Sequence, residues 1–451
     1  MAKKTSWPQF RVLLVAGLCL VSVGRAALAT DESAASPLRT IPDPLTLEEA
    51  LTLFHEHGFD LLLADLAVAS ARGDLQAAAA FQNPIVSGAG GHTFHYDPGH
   101  CPDGGCSATA FNVNLSDQGV VLDLLIGKRR LRAKVAAAAL EAARLSRADA
   151  ERVLVPAVKQ QFTQVVLASA ALDFAHQAAD MARQTEQLVQ AQFNSGAASE
   201  ADVARAQVAE MDAERSADSA AENLAIGKAA LASLLGVRGP IDDFHTTDVP
   251  PPFVVPEALR DASANTLRVL ALDHRPDLAA ARAQVEGAQA ARDLARRQRI
   301  PDISLVANYQ QEGTGQGAIQ PPTATFGLSL PLPVFYQGQG EILKAESELT
   351  ARDIAVQKLT AQVGADVGEA FASFESARSR VQRMESRLLQ SARRARDLVA
   401  YRHRKGAASL FEYLDAQRSF VTTQTDYYQD LGDYWTALSK LEEAVGMELQ
   451  P

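Results

Sequence analysis

From Lys128 to Asn194 the chain reads KRRLRAKVAAAALEAARLSRADAERVLVPAVKQQFTQVVLASAALDFAHQAADMARQTEQLVQAQFN, with no glycine and one proline, Pro156. Its Ala, Leu, Val, Gln, Arg and Glu are good or tolerable helix formers. A helix over the whole stretch would run about 100 Å at ~1.5 Å per residue. A second stretch of the same kind, Glu341 to Lys405, has no proline, and its glycines are Gly364 and Gly368. Helices of this length do not pack into a globule. They lie side by side as staves or pair as coiled coils.

The two stretches belong to an internal repeat. Gly196-Ala197-Ala198-Ser199 returns as Gly406-Ala407-Ala408-Ser409, Ala206-Gln207 as Ala416-Gln417, and Gly236 as Gly446, all 210 residues apart. Earlier in each half, His57-x-x-Asp60 matches His274-x-x-Asp277, and Pro84 matches Pro301, at an offset of 217; Gly127 matches Gly338 at 211. A period this long exceeds any solenoid unit and marks duplication of a whole domain half. The expected units are 30–240 and 241–451. Each holds a helical pattern (Leu45 to Phe81, Leu259 to Arg299), two strands, a long helix, a Gly-Ala-Ala-Ser turn and a returning helix. The long helices are expected at 128–194 and 339–405, and the returning ones at 198–236 and 407–446. Pro156 aligns with Val367, between Gly364 and Gly368, so a paired kink is expected there.

Strands are expected at 84–96, 107–121, 302–312 and 322–333. In Thr323-Ala324-Thr325-Phe326-Gly327-Leu328-Ser329-Leu330-Pro331-Leu332 every even residue is apolar and every odd one small, polar or proline. Phe111, Val113 and Leu115 alternate with Asn112, Asn114 and Ser116. Ten alternating residues suit a membrane-crossing strand; they also suit a soluble sheet with one buried face. Four strands cannot close a barrel. If they cross a membrane, copies must pool them, and a cyclic trimer gives twelve strands and twelve helices.

Composition narrows the classes. Apolar residues are 47% and charged residues 22% of 451, which excludes a disordered chain. A formal charge of -11 with no long basic run argues against nucleic acid as a partner. Residues 1–29 read as a secretory signal: Lys3, Lys4 and Arg11 precede an apolar run from Val12 to Gly24, and Ala27-Leu28-Ala29 offers a cleavage site. Its removal takes away Cys19, leaving Cys101 and Cys106, and lowers the charge to -15. No later stretch is long and apolar enough for a transmembrane helix. No nucleophile–base set, phosphate-binding glycine loop or His-Glu-x-x-His helix occurs, so no catalytic residues and no cofactor are expected. His92, His95 and His100 stand near Cys101 and Cys106 in a loop between the first two strands. Two alternatives stand there: a Cys101–Cys106 disulfide, or a surface metal site on the histidines.

This plan resembles the outer-membrane factor family of TolC-like channels over essentially the whole mature chain. The matches include Leu45-Thr46-Leu47-Glu48-Glu49-Ala50-Leu51, Asn83-Pro84, Ile300-Pro301 and Leu328-Ser329-Leu330-Pro331-Leu332-Pro333-Val334-Phe335, continuing into Gly338-Gln339-Gly340-Glu341-Ile342. Together with His274-Arg275-Pro276-Asp277-Leu278 and Ala295 to Asp302, they look most like the branch serving cobalt, zinc, cadmium and copper efflux.

The resemblance implies a mainly α fold with a small β part: a homotrimer with a twelve-stranded barrel in the outer membrane and an α-helical barrel across the periplasm. It implies a passive duct that docks to a periplasmic adaptor and a resistance-nodulation-division pump of the inner membrane, with heavy-metal cations as cargo. Drugs, or polypeptides of type I secretion, are alternative cargoes, and a non-pore periplasmic adaptor is the alternative of another class.

It further implies that Glu412 and Asp415 ring the periplasmic aperture, one helical turn apart on one face; a solvated helix face is the plainer reading. The first repeat has Asp202 and Arg205 at those positions, expected to pair across a helix interface as a latch. The turns Gly196, Ala197, Ala198, Ser199 and Gly406, Ala407, Ala408, Ser409 are implied as adaptor-docking tips, with Ser199 and Ser409 capping the returning helices.

Overall fold

A computed structural model describes residues 40–94, 108–120, 123, 126–240, 243–247, 249–313 and 321–449. The signal segment, and His95, His100, Cys101 and Cys106, lie outside the described residues. Helices α1 (Leu47–His57) and α2 (Phe59–Ala79) lead into strands β1 (Ile85–His92) and β2 (Thr109–Ser116). Then come the long helix α3 (Lys128–Asn194) and its return α4 (Glu200–Leu234). The second half repeats this: α5 (Ala264–His274), α6 (Pro276–Gln298), β3 (Ser304–Glu312), β4 (Thr323–Ser329), α7 (Gln339–Arg383), a π-helical segment (Met384–Leu388), α8 (Leu389–Arg404) and α9 (Leu410–Val445).

The early helical pattern of each half is split in two, at matching places and for different reasons. At Gly58 a Cβ would lie 2.6 Å from Phe54 O, so only glycine lets the chain turn so tightly there. At Arg275 the following Pro276 forces an extended backbone and then starts the new helix from its first position.

The paired weak points at Pro156 and at Gly364 and Gly368 do not break either long helix. Helix α3 runs through Pro156 without interruption, and α7 runs through Gly364 and Gly368. Val367, the counterpart of Pro156, is fully buried in the second core. Packing holds both helices through their weak points. The irregular segment instead lies lower in the second repeat, at Met384–Leu388, and the first repeat has no counterpart.

The long helices form a wall of four staves. Helix α3 packs against α2 and α6 in its first part and against α4 and α9 further on; α7 packs against α6 and then α9, and α8 against α9. The edges are therefore α2 and α4 on one side, α7 and α8 on the other. Two equivalent cores pin the wall. Phe54, Leu61, Phe162, Leu231, Leu235 and Phe244 pack together in the first half; Leu278 and Leu441 are as buried in the second, where Phe374, Tyr434 and Leu438 fill the core. The Tyr434 hydroxyl donates to Val254 O at 2.8 Å.

The four strands make one antiparallel sheet in the order β1-β2-β3-β4. Their register aligns most of the alternation, with Ile85 and Val306 on the polar face and Gln311 on the apolar one as exceptions. Val86, Leu115, Ala307 and Phe326 form one row, and Gly88, Val113, Tyr309 and Ala324 the next, with Leu305 opposite Leu328. The opposite face carries Ser87, Asn114, Asn308 and Thr325, then Ala89, Asn112, Gln310 and Thr323. Among the described residues no helix covers the apolar face: Phe326 is 83% exposed, Leu328 72% and Val86 67%. β4 is shorter than expected, and the expected ends of β1 at 95–96 and of β2 at 107 and 121 lie outside the described residues. β4 stops at Ser329 because Pro331 and Pro333 lack the N–H a ladder needs, and β2 ends in a turn at Gln118 and Gly119. Sheet and staves are fastened by Lys128, buried at the head of α3, whose Nζ donates to Ile300 O at 2.6 Å and Asp302 Oδ1 at 2.8 Å.

Candidate functional site

The two hairpin tips share one construction. In the first, Ala197 N donates to Gln192 O and Gly196 N to Phe193 O; in the second, Ala407 N donates to Arg402 O and Gly406 N to His403 O. These are Schellman closures, which need a left-handed residue after the cap. Gly196 and Gly406 supply it, with φ of +79° and +71°. Open space surrounds both glycines, so conformation alone calls for them.

The return helices then start on capping boxes. Ser199 Oγ accepts from Asp202 N at 3.2 Å while the Asp202 carboxylate accepts from Ser199 N, also at 3.2 Å. Ser409 Oγ likewise accepts from Glu412 N at 3.2 Å, and Glu412 Oε2 accepts from Ser409 N at 2.7 Å. The pattern Ser-x-x-Asp/Glu was visible in the sequence and signals this reciprocal cap; reading Glu412 and Asp202 only as candidate gate charges missed it. Backbone donation from Ser409, then its hydroxyl, holds the Glu412 carboxyl below the usual carboxylate range. The Ser199 hydroxyl, then its N–H, does the same for Asp202.

The four candidate aperture residues are thus not alike. Asp415 is exposed on the turn after Glu412, with no hydrogen bond or ion pair among the described residues. Glu412 is exposed too, with Oε2 engaged at its cap. Asp202 and Arg205 meet each other at 3.3 Å within one turn of α4, rather than bridging to another helix. The second tip carries further ties. Arg402 donates to Ala407 O at 3.0 Å, His403 Nδ1 lies 3.0 Å from Ala408 O, and the His403 ring stacks on Tyr413 at 5.2 Å. The tips adjoin each other, since Ala198 and Leu410 pack against a shared cluster of Val189, Val203 and Ala206.

At the opposite end, His92 closes β1, with its ring edge-on to Phe94. Among the described residues no group of three or more His, Cys, Asp or Glu is placed to hold a metal, and no helix is long and apolar enough to cross a membrane.

The model of the outer membrane efflux protein family matches residues 52–237 and 267–447, most of the chain in two segments. The chain belongs to the outer membrane efflux protein family. As a member it is an outer-membrane efflux channel component, a conduit rather than an enzyme. Family membership displaces the alternative of a non-pore periplasmic adaptor. Among relatives, the cobalt-zinc-cadmium resistance protein CzcC of Cupriavidus metallidurans is 24% identical over 97% of this chain and 99% of its own. The pyoverdine export outer membrane protein OpmQ of Pseudomonas putida is 26% identical over 70% of this chain and 66% of its own. The solved structure of CusC, described in connection with folding and transmembrane channel formation, superposes with a TM-score of 0.73 at 19% identity, over 92% of this chain and 99% of that one.

Proposed function

We propose that three copies of this chain close into a passive duct through which a partner pump exports heavy-metal cations. The carrying observation is the sheet: four strands in register, apolar and uncovered on one face, polar on the other, with β1 and β4 as open edges. A membrane-embedded sheet must leave no edge unpaired, and three such sheets supply the twelve strands of a closed barrel. Below it the staves continue as a helical tube to the tips. There Glu412 and Asp415, repeated three times, form an acidic ring that favours cations. The exposed Gly-Ala-Ala-Ser turns are the docking tips for a periplasmic adaptor, and the adaptor joins the duct to an inner-membrane pump of the resistance-nodulation-division type. The repeats 30–240 and 241–451 are the two copies of the ancestral unit.

Metal cations are favoured as cargo by the end-to-end similarity to CzcC. The partial similarity to OpmQ supports a second reading, export of an organic chelator. A deletion strain tested against zinc, cobalt, cadmium, copper and a panel of drugs separates them. Hypersensitivity confined to the metals supports the first reading; wild-type metal tolerance with lost tolerance to organic compounds overturns it.

A further inference from the structure

The two edges of the stave wall carry opposite charge. On α4, residues 200–222 hold seven acids against two arginines. On the other edge, residues 378–405 hold ten basic residues against two acids, in a chain that is acidic overall. Much of this charge has no partner. Asp218 and Glu222 make no ion pair among the described residues, nor do Arg383, Arg387 and Arg394, and Asp212 reaches only Arg215, at 3.7 Å. Helix α8 has no buried residue at all.

The unpaired groups also face outward. On α4, Val203, Ala206 and Ala217 are buried, and Glu210 and Glu214 reach Arg183 of α3. At 3.6 residues per turn, Val208, Asp212, Glu222 and Ile226 fall on the opposite side of the helix, with Asp218 on its flank. On α8, Arg396 lies over the Phe420 ring of α9, which turns Arg394 and Leu398 away from α9. Arg387 follows the same line upward, beside a shallow groove lined by Ser379, Arg383, Arg387 and Leu388. Both outward faces bear uncovered apolar groups: Val208 is 58% exposed, Ile226 61% and Leu398 57%.

Heights match as well. Val189 packs with Val203 and beside Leu410, Phe174 lies between Phe420 and Tyr428, and Tyr427 donates to Glu385. Counted along the helices from these contacts, Val208 is level with Leu398, Asp212 with Arg394, Asp218 with Arg387, and Glu222 with Arg383, each to about one helical turn.

We infer that the basic edge of one copy, Arg383 to Leu398, docks on the acidic edge of the next, Val208 to Glu222, forming an ionic seam that fixes the partner and its height around the tube. The seam rests on the trimeric reading above. A head-to-tail contact of unlike edges closes into a ring, and complementary charge sets its register while like charge rejects the wrong one.

The test uses the full chain in detergent, with Cys101→Ser and Cys106→Ser, carrying Val208→Cys and Leu398→Cys. Mild oxidation should link different copies into covalent trimers. Adding Asp218→Arg and Glu222→Arg should cut the linking rate by about tenfold or more, as should Arg383→Glu with Arg387→Glu, and the two swaps together should restore it. Light scattering on the same samples reports the assembly directly. A trimer that never links, or links equally fast with either swap alone, overturns the seam while sparing the trimer. A monomer overturns both.

Discussion

Arg275 shows how one side chain fixes a junction. It is 6% exposed and grips Asp277 with two nitrogens, at 2.7 and 3.1 Å. Its third nitrogen donates to Asp366 at 3.0 Å and to Ala444 O at 3.3 Å. One guanidinium thus ties the α5–α6 break to α7 and to the end of α9. Burial raises the Asp277 pKa, but the hydrogen bond and charge of Arg275 outweigh it, and the carboxyl is held below its ordinary range. A depressed acid stabilises the fold in full above its unfolded value of 3.8, and that contribution is lost as pH falls below it through the folded value. Arg275→Met leaves Asp277 uncompensated and should cost roughly 3–5 kcal/mol, read as a fall in Tm by circular dichroism, whereas Arg275→Met with Asp277→Leu should recover much of it. The sequence marked this spot as His274-x-x-Asp277 in a repeat and as part of a family resemblance, not as a buried ion pair. The pairing with Asp366 joins residues far apart in sequence, which no local pattern reports.

At the scale of elements, periodicity carried most of the reading, and its failures have local causes. Helix α3 begins and ends where its composition predicts, at Lys128 and Asn194. The π-helical segment at Met384–Leu388 was not legible, because its Met, Glu, Ser, Arg and Leu suit an ordinary α-turn. At the tips, Ser409→Ala removes half of a capping box and should cost about 1 kcal/mol. Amide exchange should quicken over Leu410 to Tyr413 and leave the cores unchanged. In the sheet, alternation predicted two faces, and the register brings the central rows of all four strands into agreement, while Ile85, Val306 and Gln311 near the ends depart from it. Phe326→Arg puts a charge on the apolar face and should cost roughly 2–4 kcal/mol, depending on depth, seen as reduced outer-membrane yield. Thr325→Arg, on the polar face, should insert normally and alter conductance instead.

At the scale of the whole molecule, duplication was legible from glycines and turns alone, while the fate of the charges was not. Glu412 serves its own helix start and Asp202 its neighbour Arg205, so in the proposed acidic ring Asp415 is the acid with no partner among the described residues. In planar bilayers, Asp415→Asn should lower cation preference more than Glu412→Gln, since Gln still caps the helix. Equal effects, or none in the double variant, would remove the acidic ring from the mechanism. The open strands β1 and β4 carry a last consequence, for biogenesis. A solitary copy entering lipid would drag two rows of bare amides and carbonyls into hydrocarbon. In the proposed trimer, insertion therefore follows the meeting of sister chains edge to edge, so the yield of pores should rise with the concentration of newly exported polypeptides.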